Sequence, residues 1–252
     1  MNLEELLQAA DEHQRHSVAR SYERTESARF LPEEVTPTVT RLKALAGTGP
    51  AVEFAVGTGR IALPLAAEGV EVHGLDASEA MLAELAKKEG AESVEVTLGD
   101  MASRIVCEDA TLVYLIFNTI TNLRTQSQQV ECFRNAAAHL RTGGRFLIEC
   151  IVPALHRLAP GQTVLHRVTT PECLAFDEYP DTTRQILISH YCVTEGDVTD
   201  RSAAAFRYVW PSELDLMANL AGMELESRTS DWHGAAFTSS SRSHVSVWRK
   251  KT

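Results

Sequence analysis

Between residues 51 and 152, short and almost wholly apolar runs alternate with longer stretches whose apolar positions recur three or four apart. The runs at 51–56, 70–75, 94–98, 112–117 and 146–152 are rich in Val, Leu and Ile, which predicts strands covered on both faces. The stretches 61–67, 78–88 and 126–140 predict helices. The last carries Val130, Phe133, Ala137 and Leu140 on one side and is expected to close at Gly143 and Gly144. Strands that alternate with helices in this way predict an α/β fold, with a parallel, doubly wound sheet between two helical layers.

On either side of this region the pattern changes. Residues 1–46 predict helices, with Pro32 and Pro37 separating a leading helix from a second one over 39–45; such a segment can lie across the top of a sheet as a lid. Pro153, Pro160, Pro171 and Pro180 punctuate 153–209, where 185–193 and 203–210 predict an antiparallel hairpin around the polar turn 195–201. A helix over 212–221, ended by Gly222, leads to alternating runs at 223–227 and 243–248 that predict two closing strands. The expected division is a helical lid (1–46), a core (47–152), an inserted cap (153–209) and a C-terminal part that completes the core (210–252).

Composition narrows the function. A chain of 252 residues with 44% hydrophobic content can bury one substantial core, so a single core domain with an embedded cap is expected. With 34 acidic and 24 basic residues the formal net charge is -10, and the only basic cluster is Arg249, Lys250 and Lys251 near the end, so nucleic acid is not an expected partner. The five cysteines form no Cys-x-x-Cys pair and read as reduced thiols, with no metal site. Residues 1–10 lack the basic start and continuous apolar core of a signal peptide, and no run nears the roughly 20 apolar residues of a membrane span. A cytoplasmic location without a membrane partner is the expectation.

The sharpest local signal is Glu53-Phe54-Ala55-Val56-Gly57-Thr58-Gly59, a buried strand running into a glycine turn that opens a helix. Glycine lets a ligand approach the backbone, and the helix start offers free N–H groups. Asp76 ends the next strand about 20 residues on, where a carboxylate can accept both ribose hydroxyls of an adenosine. A dinucleotide would be served nearly as well, and a tight turn beside a solvated aspartate would look the same. The third strand ends in Gly99-Asp100-Met101, which puts a carboxylate and a backbone N–H where adenine's amine and ring nitrogen can be read.

At these residues the chain resembles the class I methyltransferases that use S-adenosylmethionine (SAM), over roughly 50–150 by element order and more loosely to the end. The resemblance implies a three-layer Rossmann-like α/β fold: a seven-stranded, mostly parallel sheet with its last strand antiparallel, an N-terminal helical lid and an inserted antiparallel cap. It implies SAM as the cofactor, with contacts from Glu53, Ala55, Gly57, Thr58, Gly59, Asp76, Ala77, Met81, Gly99, Asp100, Met101, Phe117 and Asn118. One departure is Ala55, which stands where the family's loop has its first glycine.

The polar trio Asn118, Thr119 and Asn122 follows the apolar fourth strand, where the family faces the sulfonium and the acceptor, although Asn and Thr serve equally as caps and turn formers. Glu149 lies near the carboxyl end of the fifth strand, the ligand edge of open α/β sheets; a structural carboxylate is the competing account. Tyr22 and His156, in the lid and the cap, complete the expected acceptor set of Tyr22, Asn118, Thr119, Asn122, Glu149 and His156. None of the nine histidines sits in a motif that marks a general base. The expected activity is methylation of an oxygen or nitrogen of a small molecule, of the kind made by bacterial enzymes that tailor secondary metabolites, and a homodimer is compatible with the sequence. The rival readings are an NAD-dependent oxidoreductase, against which stand Gly99-Asp100-Met101 and the lack of a Tyr-x-x-x-Lys pair, and a catalytically silent SAM-binding protein.

Overall fold

The computed structural model describes residues 4, 5, 7, 30–170, 173–195 and 198–251, which leaves Tyr22 and most of the expected lid outside the described residues. Helix α1 (Pro32–Ala46) leads into β1 (Ala51–Phe54), α2 (Ala62–Ala67), β2 (Val72–Asp76), α3 (Glu79–Leu85), β3 (Val94–Leu98) and β4 (Ala110–Leu115). Helix α4 (Gln126–His139) and β5 (Leu140–Ile151) follow, then β6 (Val164–Thr169), β7 (Cys173–Asp181), β8 (Ile186–Glu195) and β9 (Val198–Arg207). Helix α5 (Pro211–Leu220), β10 (Met223–Thr229) and β11 (Ser243–Lys250) close the chain.

One sheet has seven strands in the order β10-β11-β5-β4-β1-β2-β3. Pairing is parallel from β5 to β3, and β11 runs antiparallel to both β5 and β10. Strands β1 and β4 are buried at every position, as their unbroken apolar runs require. Phe133 of α4 and Leu214 and Met217 of α5 pack with Val52, Phe54, Val113, Phe146 and Trp248 on one face. On the other, Val39 and Leu42 of α1, Leu65 of α2 and Leu85 of α3 pack with Ala51, Leu112, Tyr114 and Leu147. The reversal of strand order between β1 and β4 opens a crevice at the carboxyl ends of the strands, where ligands of such sheets bind.

Three local expectations are corrected. Helix α1 runs unbroken through Pro37, because burial of Thr38, Val39, Leu42 and Ala46 on the sheet outweighs the hydrogen bond the proline forgoes. This part of the segment expected as a lid thus packs into a helical layer. Helix α4 stops at His139, and Gly143 and Gly144 lie within β5, at an irregularity where Leu140 pairs with Ala110 but Arg145 with Leu112. A Cβ on Gly144 would come within 3.0 Å of the Ala110 carbonyl oxygen, so the bend of this strand needs glycine there.

The insertion is an antiparallel sheet of four strands, β6-β7-β8-β9, rather than one hairpin. Two residues expected in the polar turn are instead paired in strands, Arg201 with Cys192 and Thr199 with Thr194. Polar residues are tolerated here because the described residues Tyr191 to Thr194 on the facing strand are half-buried or exposed. Pro180 falls inside β7 at a shift of register, the position in a strand where a missing N–H costs least.

Candidate functional site

The glycine turn leaves β1 through three residues in the left-handed region, Ala55 (φ 54°), Gly57 (φ 57°) and Gly59 (φ 79°). A Cβ on Gly57 would meet nothing closer than the Ala55 carbonyl oxygen at 3.9 Å, so this side of the turn is open to close approach. A Cβ on Gly59 would lie 2.9 Å from Leu63 Cγ, so that glycine lets α2 pack. The Thr58 hydroxyl is buried and has no hydrogen-bond partner among the described residues. Lys88 Nζ donates to the Thr58 carbonyl over 2.7 Å, a support with no signal in the sequence.

Asp76 binds the turn to the end of β2. Its carboxylate accepts the Gly57 N–H over 2.8 Å on Oδ2 and the Ser78 N–H over 2.8 Å on Oδ1. Burial pushes its pKa up, against the lowering effect of these N–H groups. Each carboxylate oxygen offers about two acceptor positions, so capacity is left for a ligand's hydroxyls. Ala77 follows directly, and the Met81 N–H donates to Ser78 Oγ, the cap of α3.

Glu53, buried in β1, accepts the Tyr114 hydroxyl over 3.0 Å and the N–H of Ala62 at the start of α2. Burial pushes its pKa up to about 8, with Tyr114 and Arg60 pulling the other way. After β3, the Gly99 N–H donates to the Asp76 carbonyl, and Asp100 is exposed at the rim with its carboxylate on the Ala102 N–H. Buried Asn135 of α4 donates to the carbonyls of Met101 and Arg104 and so holds this loop.

Phe117 and Asn118, just after β4, take consecutive left-handed conformations, both at φ 59°. For residues with a Cβ this costs on the order of 1–2 kcal/mol each, and strain of that kind collects at functional sites. Glu149 supports it: its Oε2 accepts the Phe117 N–H over 2.9 Å and its main-chain carbonyl accepts the Asn118 N–H. The other oxygen, Oε1, accepts the indole N–H of Trp232, from the loop between β10 and β11. Asn118 Oδ1 accepts the Ile151 N–H, and its amide donates to Thr121 Oγ1. The Arg60 guanidinium lies over the Phe117 ring, 5.7 Å from its centroid. Glu149 and Asn118 are thus already engaged within the protein, while Thr119 is half-buried and Asn122 exposed in the turn after β4. His156 is exposed in the turn that follows β5.

The cap is rooted beside that same turn. Gln129 of α4 is fully buried and its side-chain amide donates to the carbonyls of Ile120, Leu123 and Arg207. Arg207, ending β9, donates to Gln129, to Gln185 and, over 2.7 Å, to Glu213 of α5. Neither Gln129 nor Arg207 carries a local sequence signal for the other, since the two lie 78 residues apart.

With this geometry stand the comparisons. A family model described as a methyltransferase domain matches residues 51–144. The CcbJ methyltransferase from Streptomyces caelestis is 37% identical, with a TM-score of 0.78 over 88% of this chain and 91% of its own. The chain belongs to the class I SAM-dependent methyltransferases. The cypemycin N-terminal methyltransferase of a Streptomyces species is 26% identical over 202 residues, 79% of this chain and 82% of the relative. A SAM-bound structure of CalS10, an amino pentose methyltransferase of calicheamicin biosynthesis from Micromonospora echinaspora, shares the fold at 19% identity, with a TM-score of 0.70 over 91% of this chain and 96% of its own. The methyltransferase is therefore an enzyme with SAM as its cofactor, and the oxidoreductase alternative is closed. Its open approach at Gly57 and the unpartnered Thr58 hydroxyl fit such a ligand. Among the described residues no helix is long and apolar enough to cross a membrane.

Ala55 is the family's glycine position filled by a residue that strains there. Ala55→Gly is expected to raise stability by up to about 1 kcal/mol, because relief of the left-handed strain exceeds the added freedom of the unfolded chain. Urea unfolding measures it, and a loss of stability would show that the Ala55 methyl, which packs on the core, matters more than its backbone.

Proposed function

We propose that this methyltransferase transfers the methyl group of SAM to an amine nitrogen of a small molecule of the secondary-metabolite type. The observation that carries this reading is the root of the cap. Arg207 and Gln129 lock the insertion against the turn that follows β4, so the acceptor side is walled by a fixed sheet that suits a small acceptor. The chain's net charge of -10 favours a cationic amine over an anionic acceptor. Two of the relatives named above are described as an N-terminal methyltransferase and an amino pentose methyltransferase, descriptions compatible with an amine acceptor.

In this reading Asp76 takes the ribose hydroxyls and the open approach at Gly57 receives the amino-acid end of SAM. Asp100 and Met101 read the adenine at the end of β3, beside Gly99 and Met81. Phe117 and Asn118 present the strained turn after β4 to the methyl group, Thr119, Asn122 and His156 stand on the acceptor side, and Tyr22, which lies outside the described residues, is proposed for the same role. Bound SAM supplies a methyl group on a sulfonium, and the protein's part is to align the nucleophile and exclude water.

Methyl-labelled SAM tests this with a panel of D-glucosamine and other amino sugars, short peptides with a free N-terminus, and the matching hydroxyl compounds. Labelled product is expected from amines and not from their hydroxyl counterparts. Preferential labelling of the hydroxyl compounds would overturn the nitrogen assignment.

A further inference from the structure

Directly opposed residues of antiparallel strands share a side, so Arg207 and Ile186, Ala205 and Ile188, and Ala203 and His190 lie on one face of the cap. Arg207 on that face reaches Gln129 of α4, so the face looks toward the body of the fold. It continues across β7 through Phe176, opposite His190, and Glu178, opposite Ile188. His190 Nε2 lies 3.1 Å from Glu178 Oε2, and the imidazole stacks on Phe176 with centroids 4.6 Å apart and planes 13° from parallel. Both side chains stay within reach of solvent, 24% exposed for His190 and 29% for Glu178. At about 3.3 Å per residue, His190 stands roughly 13 Å along β8 from the anchored row of Ile186 and Arg207.

An ionised carboxylate only accepts hydrogen bonds, so this pairing puts the imidazole proton on Nε2 and leaves the lone pair on Nδ1. Nδ1 has no hydrogen-bond partner among the described residues. Phe176 holds the plane of the ring and Glu178 its tautomer, which is how a third group orients a base.

We infer that His190, oriented by Glu178, is the proton acceptor of the methyl transfer, an inference that rests on the amine reading. An ammonium has no lone pair with which to attack. Its proton passes to His190 Nδ1, and the electrons of the N–H bond stay on nitrogen. That pair forms the new C–N bond, while sulfur keeps the pair of the C–S bond that breaks. The imidazolium, stabilised by Glu178, returns its proton to solvent. The other titratable or charged groups on this face of the cap, among the described residues, are His166, Asp181, Cys192, Arg201 and Arg207. From the elements packed nearby come Glu213 on Arg207 and Glu4 on Arg184.

The test compares wild type with His190→Gln and Glu178→Gln, using the amine of the panel that wild type methylates fastest. His190→Gln is expected to lower kcat about 100-fold at pH 7, a typical share for a general base. The deficit should shrink below tenfold near pH 10, where the amine loses its proton to solvent unaided. The acceptor's Kd, measured calorimetrically with the demethylated cofactor present, should stay within threefold of wild type. Glu178→Gln should lower kcat about tenfold with the same pH dependence. A normal melting shift with SAM checks the fold, and His190→Asn replaces the first variant should it fail that check. A variant with wild-type kcat at every pH, or one changed only in acceptor Kd, overturns the base. Wild type inactive on every amine overturns the acceptor reading instead, and the base with it.

Discussion

Arg207→Ala is expected to destabilise the enzyme by about 3–5 kcal/mol, the usual cost of removing one partner from a buried ion pair. The guanidinium and the Glu213 carboxylate are only 5% and 15% exposed, and the pair is tied into Gln129 and Gln185. Removing Arg207 strands the carboxylate and the two amide oxygens in a space that water reaches poorly. For a chain of this size the loss corresponds to roughly 10 °C in melting temperature. The pH dependence carries a further signature. Burial opposes the charge on Glu213, but hydrogen bonds from Gln185, Arg207 and Gln126 outweigh it and hold its pKa below the usual value. A depressed carboxylate contributes stability that is present above its unfolded pKa and is lost as pH falls through the folded one. The gap between variant and wild type should therefore narrow as pH drops below about 4.5. Glu213→Gln in the Arg207→Ala background should recover part of the loss. Thermal unfolding from pH 3 to 8 measures all of this, and a variant melting within 2 °C of wild type at pH 7 would show that the cap is anchored elsewhere.

Asp76→Ala is expected to weaken SAM binding by roughly 1.5–3 kcal/mol, on the order of 10- to 150-fold in Kd, the range for hydrogen bonds to a charged group. Two effects combine. The ribose hydroxyls lose their acceptor, and the N–H groups of Gly57 and Ser78 lose theirs, so the turn is no longer held in the open form that a ligand enters. Asp76→Asn keeps one acceptor oxygen and should fall between wild type and Asp76→Ala. Titration calorimetry with SAM and with its demethylated product gives both constants. An unchanged Kd for Asp76→Ala would remove the carboxylate from the cofactor site.

Much of the core was legible before any coordinate was known, for a physical reason. A strand buried on both faces has to be apolar throughout, so the runs that became β1 and β4 announce themselves, and β3 was read to its end residues. The glycine turn is equally local: Gly57 and Gly59, which follow β1 with positive φ shortly before a helix, can be recognised from their own lack of a side chain, whereas the positive φ of Ala55 could not. Asp76 belongs with them, since its distance along the chain is set by one strand–helix–strand unit.

The cap and the supports of the site were not legible in the same way. Strands β6 and β7 are half exposed and carry Thr, Glu, Asp and Pro, so no apolar period marks them, and they exist because each completes its neighbour's hydrogen bonds. The helix break expected at Pro37 failed because packing on the sheet, a tertiary term, exceeded a local preference. Glu149 could be placed at the ligand edge from its strand alone, yet its bond to Trp232 joins residues 83 apart, and nothing local in either residue specifies the other. Arg207 and Gln129, 78 apart, show the same separation. Secondary structure and the cofactor turn are short-range consequences of side-chain pattern. The root of the cap and the bracing of the turn after β4 are made by polar contacts between distant segments, which come to exist only once the apolar core has brought those segments together.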